Sequence, residues 1–176
     1  FFKTGDAVKW IDETDVHQGL KFDGRIAEDF KLATGTFVSV GPLRGRVIAG
    51  GAPYIQDVVI TGLNRHEVGA LVFPTQAVRS LVDLPPDAPF ETVLKQHAVL
   101  QKFQSLVTDL SLTATGSANR VTRLMLMAEP PSIDLGEVTD KGSINQRAVL
   151  KHRDDLVQAL YDEPPGHIVI KPGVNL

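Results

Sequence analysis

A chain of 176 residues, 43% hydrophobic and 22% charged, has the make-up of a globular protein with room for one cored domain, or one domain and a small appendage. A net charge of -3 with no Lys/Arg block argues against nucleic-acid binding. The absence of cysteine excludes disulfides, thiolate nucleophiles and sulfur-ligated metals, and no apolar run approaches the roughly 18 residues that span a bilayer, so the expected setting is cytoplasmic.

Phe1-Phe2 running straight into Lys3-Thr4-Gly5-Asp6 reads as a strand from a longer chain. Residues 8–11 and 19–25 read as two short strands around a polar turn, a small hairpin. Residues 37–40 suggest another strand. Pro42 then suits the first position of a helix, which the spacing of Leu43, Val47 and Ile48 carries to Gly50-Gly51. Residues 55–61 and 68–73 are β-branched runs separated by a polar turn, the pattern of two antiparallel strands with Ile60, Leu71 and Phe73 toward the core. Residues 76–81 suit one or two helical turns before Pro85-Pro86.

The longest helical stretch is 90–110, where Val93, Leu94, Leu100, Phe103, Leu106 and Leu110 fall near the helical repeat. A strand over 121–127 holds Met125 and Met127 as core filler, and Pro130-Pro131 closes it. The last helix is expected over 145–161, with Val149, Leu156, Val157 and Leu160 packed and Lys151, His152 and Arg153 on an exposed face. Residues 168–170 suit an edge strand. The sum is an α+β fold: a small hairpin, then a central, mostly antiparallel sheet flanked by helices.

Three polar turns can carry chemistry. Thr4-Gly5-Asp6 sets a carboxylate before a strand and Gly24-Arg25 sets a guanidinium after its partner. Asp6 suits a vicinal diol, and Arg25 can bond hydroxyl or phosphate oxygens. The same spacing also suits a surface turn and a hairpin ion pair. The loop from Glu28 to Thr36 offers Lys31, Gly35 and backbone N–H groups to an anion, and equally suits a solvated connection; it is no Gly-rich phosphate cradle. Lys141 precedes Gly142, whose conformational freedom fixes the direction of the lysine, a compact charge suited to a carboxylate or phosphate. A solvated lysine in a helix-capping turn is the plainer alternative. His17, His66, His97, His152 and His167 are dispersed, without metal-ligand spacing.

These segments, in this order, resemble the C-terminal region of the adenylate-forming family, the acyl- and aryl-CoA synthetases. Phe2-Lys3-Thr4-Gly5-Asp6 is similar to its aromatic-x-Thr-Gly-Asp signature, Phe22-Asp23-Gly24-Arg25 to its hinge signature, and Lys141-Gly142-Ser143-Ile144-Asn145-Gln146-Arg147 to its terminal lysine motif. The wording is nearest to feruloyl-CoA synthases of phenylpropanoid metabolism. The resemblance implies Lys141 as catalytic residue in adenylation, with Asp6, Arg25, Lys31, Gly35 and Thr36 binding cofactor. It implies ATP with Mg2+ and coenzyme A as cofactors, and an aryl carboxylic acid and an N-terminal domain of the same polypeptide as partners. Residues 1–24 would be a hairpin leading into a hinge, and 25–176 a mobile domain with a helical insertion near 85–117. The isolated chain would be inactive. Ala27 departs from the Asp or Lys usual at the hinge, leaving the role to Glu28 or Asp29, or to no charged side chain. A non-catalytic binding or regulatory module with the same fold is the alternative.

Overall fold

The computed structural model describes residues 3–173; Phe1 and Phe2, used above in the strand-like start and the first motif, lie outside the described residues. Strands β1 (Asp6–Trp10) and β2 (Leu20–Arg25) form the N-terminal hairpin, with Val8 opposite Phe22 and Trp10 opposite Leu20. Opposite residues share a face. These four side chains therefore make one apolar face, and it is solvent-exposed: Phe22 to 65%, Trp10 to 44%. Lys9, Lys21 and Asp23 occupy the other face, where Lys9 and Asp23 form an ion pair.

A second, shorter hairpin pairs β3 (Phe30–Lys31) with β4 (Phe37–Val38). The strand expected over 37–40 stops at Val38, because the Asp29 carboxylate accepts from the Val40 N–H at 2.9 Å and so satisfies an orphan donor of a helix. That helix is α1 (Val40–Gly51). Pro42 sits third in it rather than first, still inside the turn where a missing N–H is harmless.

The central sheet has the order β5-β6-β7. Strand β5 (Ile55–Thr61) is antiparallel to β6 (Val68–Pro74), whereas β7 (Val121–Leu126) runs parallel to β6. Parallel neighbours need a crossover. It is supplied by a 3-10 stretch at Gln76–Leu81 and helices α2 (Phe90–Leu94) and α3 (His97–Leu112). The helix expected over 90–110 is thus two, parted where Gln96 takes an extended backbone (ψ 140). Of the expected edge strand over 168–170, Ile170 makes one antiparallel bridge to Leu124.

Every residue of β6 is buried, so the sheet separates two cores. Val58, Ile60, Ala70 and Val72 pack with Val47 of α1 and Phe103 and Val107 of α3. Val59, Leu71, Phe73, Met125 and Met127 pack with helices α4 (Gln146–His152) and α5 (Asp154–Tyr161) through Val149 and Leu160. The helix expected over 145–161 breaks at Arg153, which is not on an exposed face. Its guanidinium turns inward to the buried Glu137 carboxylate, at 3.1 and 2.8 Å, and to the carbonyls of Glu129 and Pro130. Among the described residues no helix is long and apolar enough to cross a membrane.

Candidate functional site

Asp6 opens β1 and Arg25 ends β2, paired across the hairpin's open end. The pairing is closed by the Ile26 N–H donating to the Gly5 carbonyl at 3.0 Å, while Asp6 N–H meets the Thr4 hydroxyl at 3.3 Å. Both side chains are exposed, and neither enters an ion pair among the described residues. The hairpin ion pair suggested by spacing is therefore absent there, and an exposed carboxylate and an exposed guanidinium stand at the same edge.

Residues 139–143 form a tight turn. The Gly142 N–H donates to the Thr139 carbonyl and the Thr139 N–H to the Ser143 carbonyl, each at 2.8 Å, and Val138 bridges Ile144. Gly142 has φ 77, the left-handed conformation that such a three-residue loop requires at its last position. Asp140 and Lys141 stand at the exposed tip. The base of the turn is held firmly. Glu137, 1% exposed, accepts from Arg153 and from the Ser132 N–H at 2.7 Å, and its carbonyl accepts from Asn145. The Arg153 guanidinium also lies 5.1 Å from the Phe73 ring centre. Gln146, 2% exposed, accepts from the Ile60 N–H at 3.0 Å and so fixes α4 to the free edge of β5.

The hairpin and this turn meet at a cleft of about 600 Å³, lined by Arg25, Glu28, Gly41, Arg44 and Ser143 among others. Its floor exists because Gly24 and Gly41 touch: a Cβ on Gly41 would lie 2.5 Å from the Gly24 Cα. Arg44 is committed to Asp57 in a bidentate pair at 2.8 and 2.7 Å, and Lys9 to Asp23. Lys21 and Arg25 keep their charge unpaired among the described residues. Burial pushes the Glu28 carboxyl up, against the pull of the Arg25, Arg44 and Arg147 cations. The cleft is therefore cationic at its mouth and suited to an anion.

Lys31, Gly35 and Thr36 lie elsewhere, on the β3–β4 hairpin. The loop is closed by the Leu32 N–H to the Thr36 carbonyl and the Gly35 N–H to the Leu32 carbonyl, both 2.9 Å, with Gly35 at φ 81. It is fastened to the β5–β6 turn by the Ala33 N–H donating to the Arg65 carbonyl at 2.8 Å. Lys31 is exposed and Thr36 half-buried. Of the expected site residues, Arg25 alone lines the cleft, opposite Asp6 in the hairpin and together with Ser143 of the Lys141 turn; Asp6 and Lys141 are not among its lining residues, and Lys31, Gly35 and Thr36 lie apart from it.

Sequence reasoning missed Glu137, Gln146 and Arg147. Arg147, in the first turn of α4, donates through Nε to the Ala27 carbonyl at 3.1 Å and through Nη2 to the same atom. Its position inside the quoted lysine motif was the available signal.

Comparison with solved structures finds the same fold. The adenylation domain of carboxylic acid reductase from Segniliparus rugosus, in complex with AMP and a co-purified carboxylic acid, aligns with a TM-score of 0.62 and 20% identity over 92% of this chain and 23% of that one. The adenylation domain of a carboxylate reductase from Mycobacterium chelonae gives 0.61 and 22% over the same shares. The anthranilate CoA ligase AuaEII, in complex with anthranoyl-AMP, gives 0.53 and 19% over 89% of this chain and 25% of that one. This chain therefore spans about a quarter of the length of these relatives. No curated protein matches it. Residues 29–164 match the family model described as the AMP-binding enzyme C-terminal domain, and to that family of adenylate-forming enzymes the chain belongs.

Proposed function

We propose that this chain is the C-terminal part of an ATP-dependent aryl-acid CoA ligase, of feruloyl or hydroxycinnamoyl type, that adenylates a carboxylate and then forms the CoA thioester as the domain turns about a hinge near Ala27. The observation that supports the reading is the shared cleft: Arg25, which pairs with Asp6 across the hairpin, and Ser143, two residues after Lys141, line the same cationic space.

In the first half-reaction the carboxylate attacks the α-phosphorus of ATP, pyrophosphate leaves, and an acyl-adenylate forms. Asp6 would accept from both ribose hydroxyls and Arg25 would add a donor beside them. Lys141 would carry a compact positive charge to the oxygens that gain negative charge as the carboxylate attacks. ATP brings its Mg2+ with it. The loop of Lys31, Gly35 and Thr36 would serve the second step, when CoA sulfur displaces AMP; its separation from the cleft fits a different orientation of the domain. The exposed face of Val8, Trp10, Leu20 and Phe22 suits packing against the N-terminal domain of the same polypeptide.

The test is made on the full polypeptide with ATP, Mg2+ and ferulate. Pyrophosphate release, and feruloyl-CoA once CoA is added, are expected. Pyrophosphate without thioester would redirect the second step to another acceptor, and no pyrophosphate would overturn the assignment.

A further inference from the structure

Residues 3–28, which carry Asp6 and Arg25, are joined to the rest of the molecule by very little. One joint is the backbone contact of Gly24 with Gly41, where no side chain intervenes. The other is Arg147 on the Ala27 carbonyl. Among the described residues, no other hydrogen bond or ion pair links 3–28 with 30–173. The remaining bonds of the hairpin, including the Lys9–Asp23 pair, are internal to it.

The far side of this joint is stiff. Arg147 lies between Gln146, whose side chain is buried and bonded to β5, and Val149, which is fully buried under the sheet. Asn145, the cap of the same helix, donates its N–H to the Glu137 carbonyl, and Glu137 in turn is locked to Arg153. The base of the Lys141 turn and the start of α4, which carries Arg147, are consequently tied to one another and to the sheet. A guanidinium fork closing on a single carbonyl sets both distance and direction.

We propose that Arg147 is a positioning residue that holds the hairpin's Asp6 and Arg25 in register with Lys141. The bond goes to backbone, so the hinge needs no charged side chain at Ala27: the restraint is supplied from the lysine motif itself. When the domain turns for the second half-reaction, this bond is, among the described residues, the polar link between 3–28 and 30–173 that would be broken. The inference rests on the adenylation reading of Asp6, Arg25 and Lys141.

The experiment compares Arg147→Ala, Lys141→Ala and the parent in the full polypeptide. It reads ferulate-dependent exchange of pyrophosphate into ATP, transfer of synthetic feruloyl-adenylate to CoA, and the melting temperature. Arg147→Ala is expected to slow exchange between about tenfold and a hundredfold, through kcat rather than the KM for ATP, as a misplaced group does. Transfer to CoA and the melting temperature should stay at parent values. Equal loss in both half-reactions would make Arg147 merely structural, and unchanged exchange would leave it without a role; either result overturns the proposal while the Lys141 reading stands. Exchange that survives Lys141→Ala sinks both.

Discussion

Glu137 and Arg153 show how much rests on two side chains that never reach the cleft. Glu137 is buried and its carboxyl is held below the ordinary range, chiefly by the hydrogen bond from Arg153. Replacing it with Gln leaves a largely buried guanidinium short of its counter-charge, and removal of one partner of such a pair typically costs about 3–5 kcal/mol. Urea unfolding of Glu137→Gln is expected to show a loss of that order. The sign of its pH dependence follows from the lowered folded value: the contribution is present above the unfolded carboxylate range and is lost as pH falls through the folded value. Parent and variant should therefore converge in stability in acid and diverge toward neutrality, and parallel curves would contradict the account. None of this was legible beforehand. Arg153 ends a Lys-His-Arg run that reads as a solvated face, and its partner is a single glutamate across a loop.

At the scale of elements, the pattern of apolar residues located nearly every strand and helix, because burial on one or both faces leaves a period in the sequence. Breaks within helices were not legible. Gln96 and Arg153 are ordinary helix formers whose backbones leave the helix, Arg153 where its side chain is drawn to distant partners. The direction of β7 was hidden for a related reason: two strands separated by helices reveal a crossover only when the pairing is known. Gly69 gives a test of how tightly the layers close. A Cβ there would meet the Leu160 side chain at 2.7 Å and the hydroxyls of Thr61 and Tyr161 at 2.9 Å. Gly69→Ala is expected to destabilise by about 1–3 kcal/mol, as overpacking does, and a neutral result in thermal unfolding would show that α5 can shift.

For the whole molecule, the candidate site was legible as three motifs but not as a place. Asp6 and Arg25 are far from Lys141 in sequence, and the docking of the hairpin on α1, together with the Arg147 bond to Ala27, brings the strand end of Arg25 to the cleft that Ser143 also lines. Arg147, the residue that ties them, looks from sequence like one more exposed helical cation. The unpartnered hairpin face makes a further prediction. Trp10 is the chain's one tryptophan and stands 44% exposed. Its emission in the isolated chain should be that of a wet indole and should move to shorter wavelength when the chain is joined to its N-terminal domain. An already blue-shifted emission in the isolated chain would mean that the face is covered some other way. The isolated chain should also form no adenylate, since on the proposed reading the aryl-acid pocket belongs to the N-terminal domain.

The central claim is that Lys141 carries the adenylation charge. The most direct measurement is acid-dependent exchange of pyrophosphate into ATP by the full polypeptide bearing Lys141→Ala. Lys141 stands exposed at the tip of its turn and its side chain makes no hydrogen bond or ion pair among the described residues, so its loss should leave the melting temperature unchanged, and surface changes of this kind usually stay within about 0.5 kcal/mol. Exchange should nevertheless fall by about two orders of magnitude or more, the scale expected when one preorganised charge is removed from a transition state. Exchange at the parent rate would contradict the account.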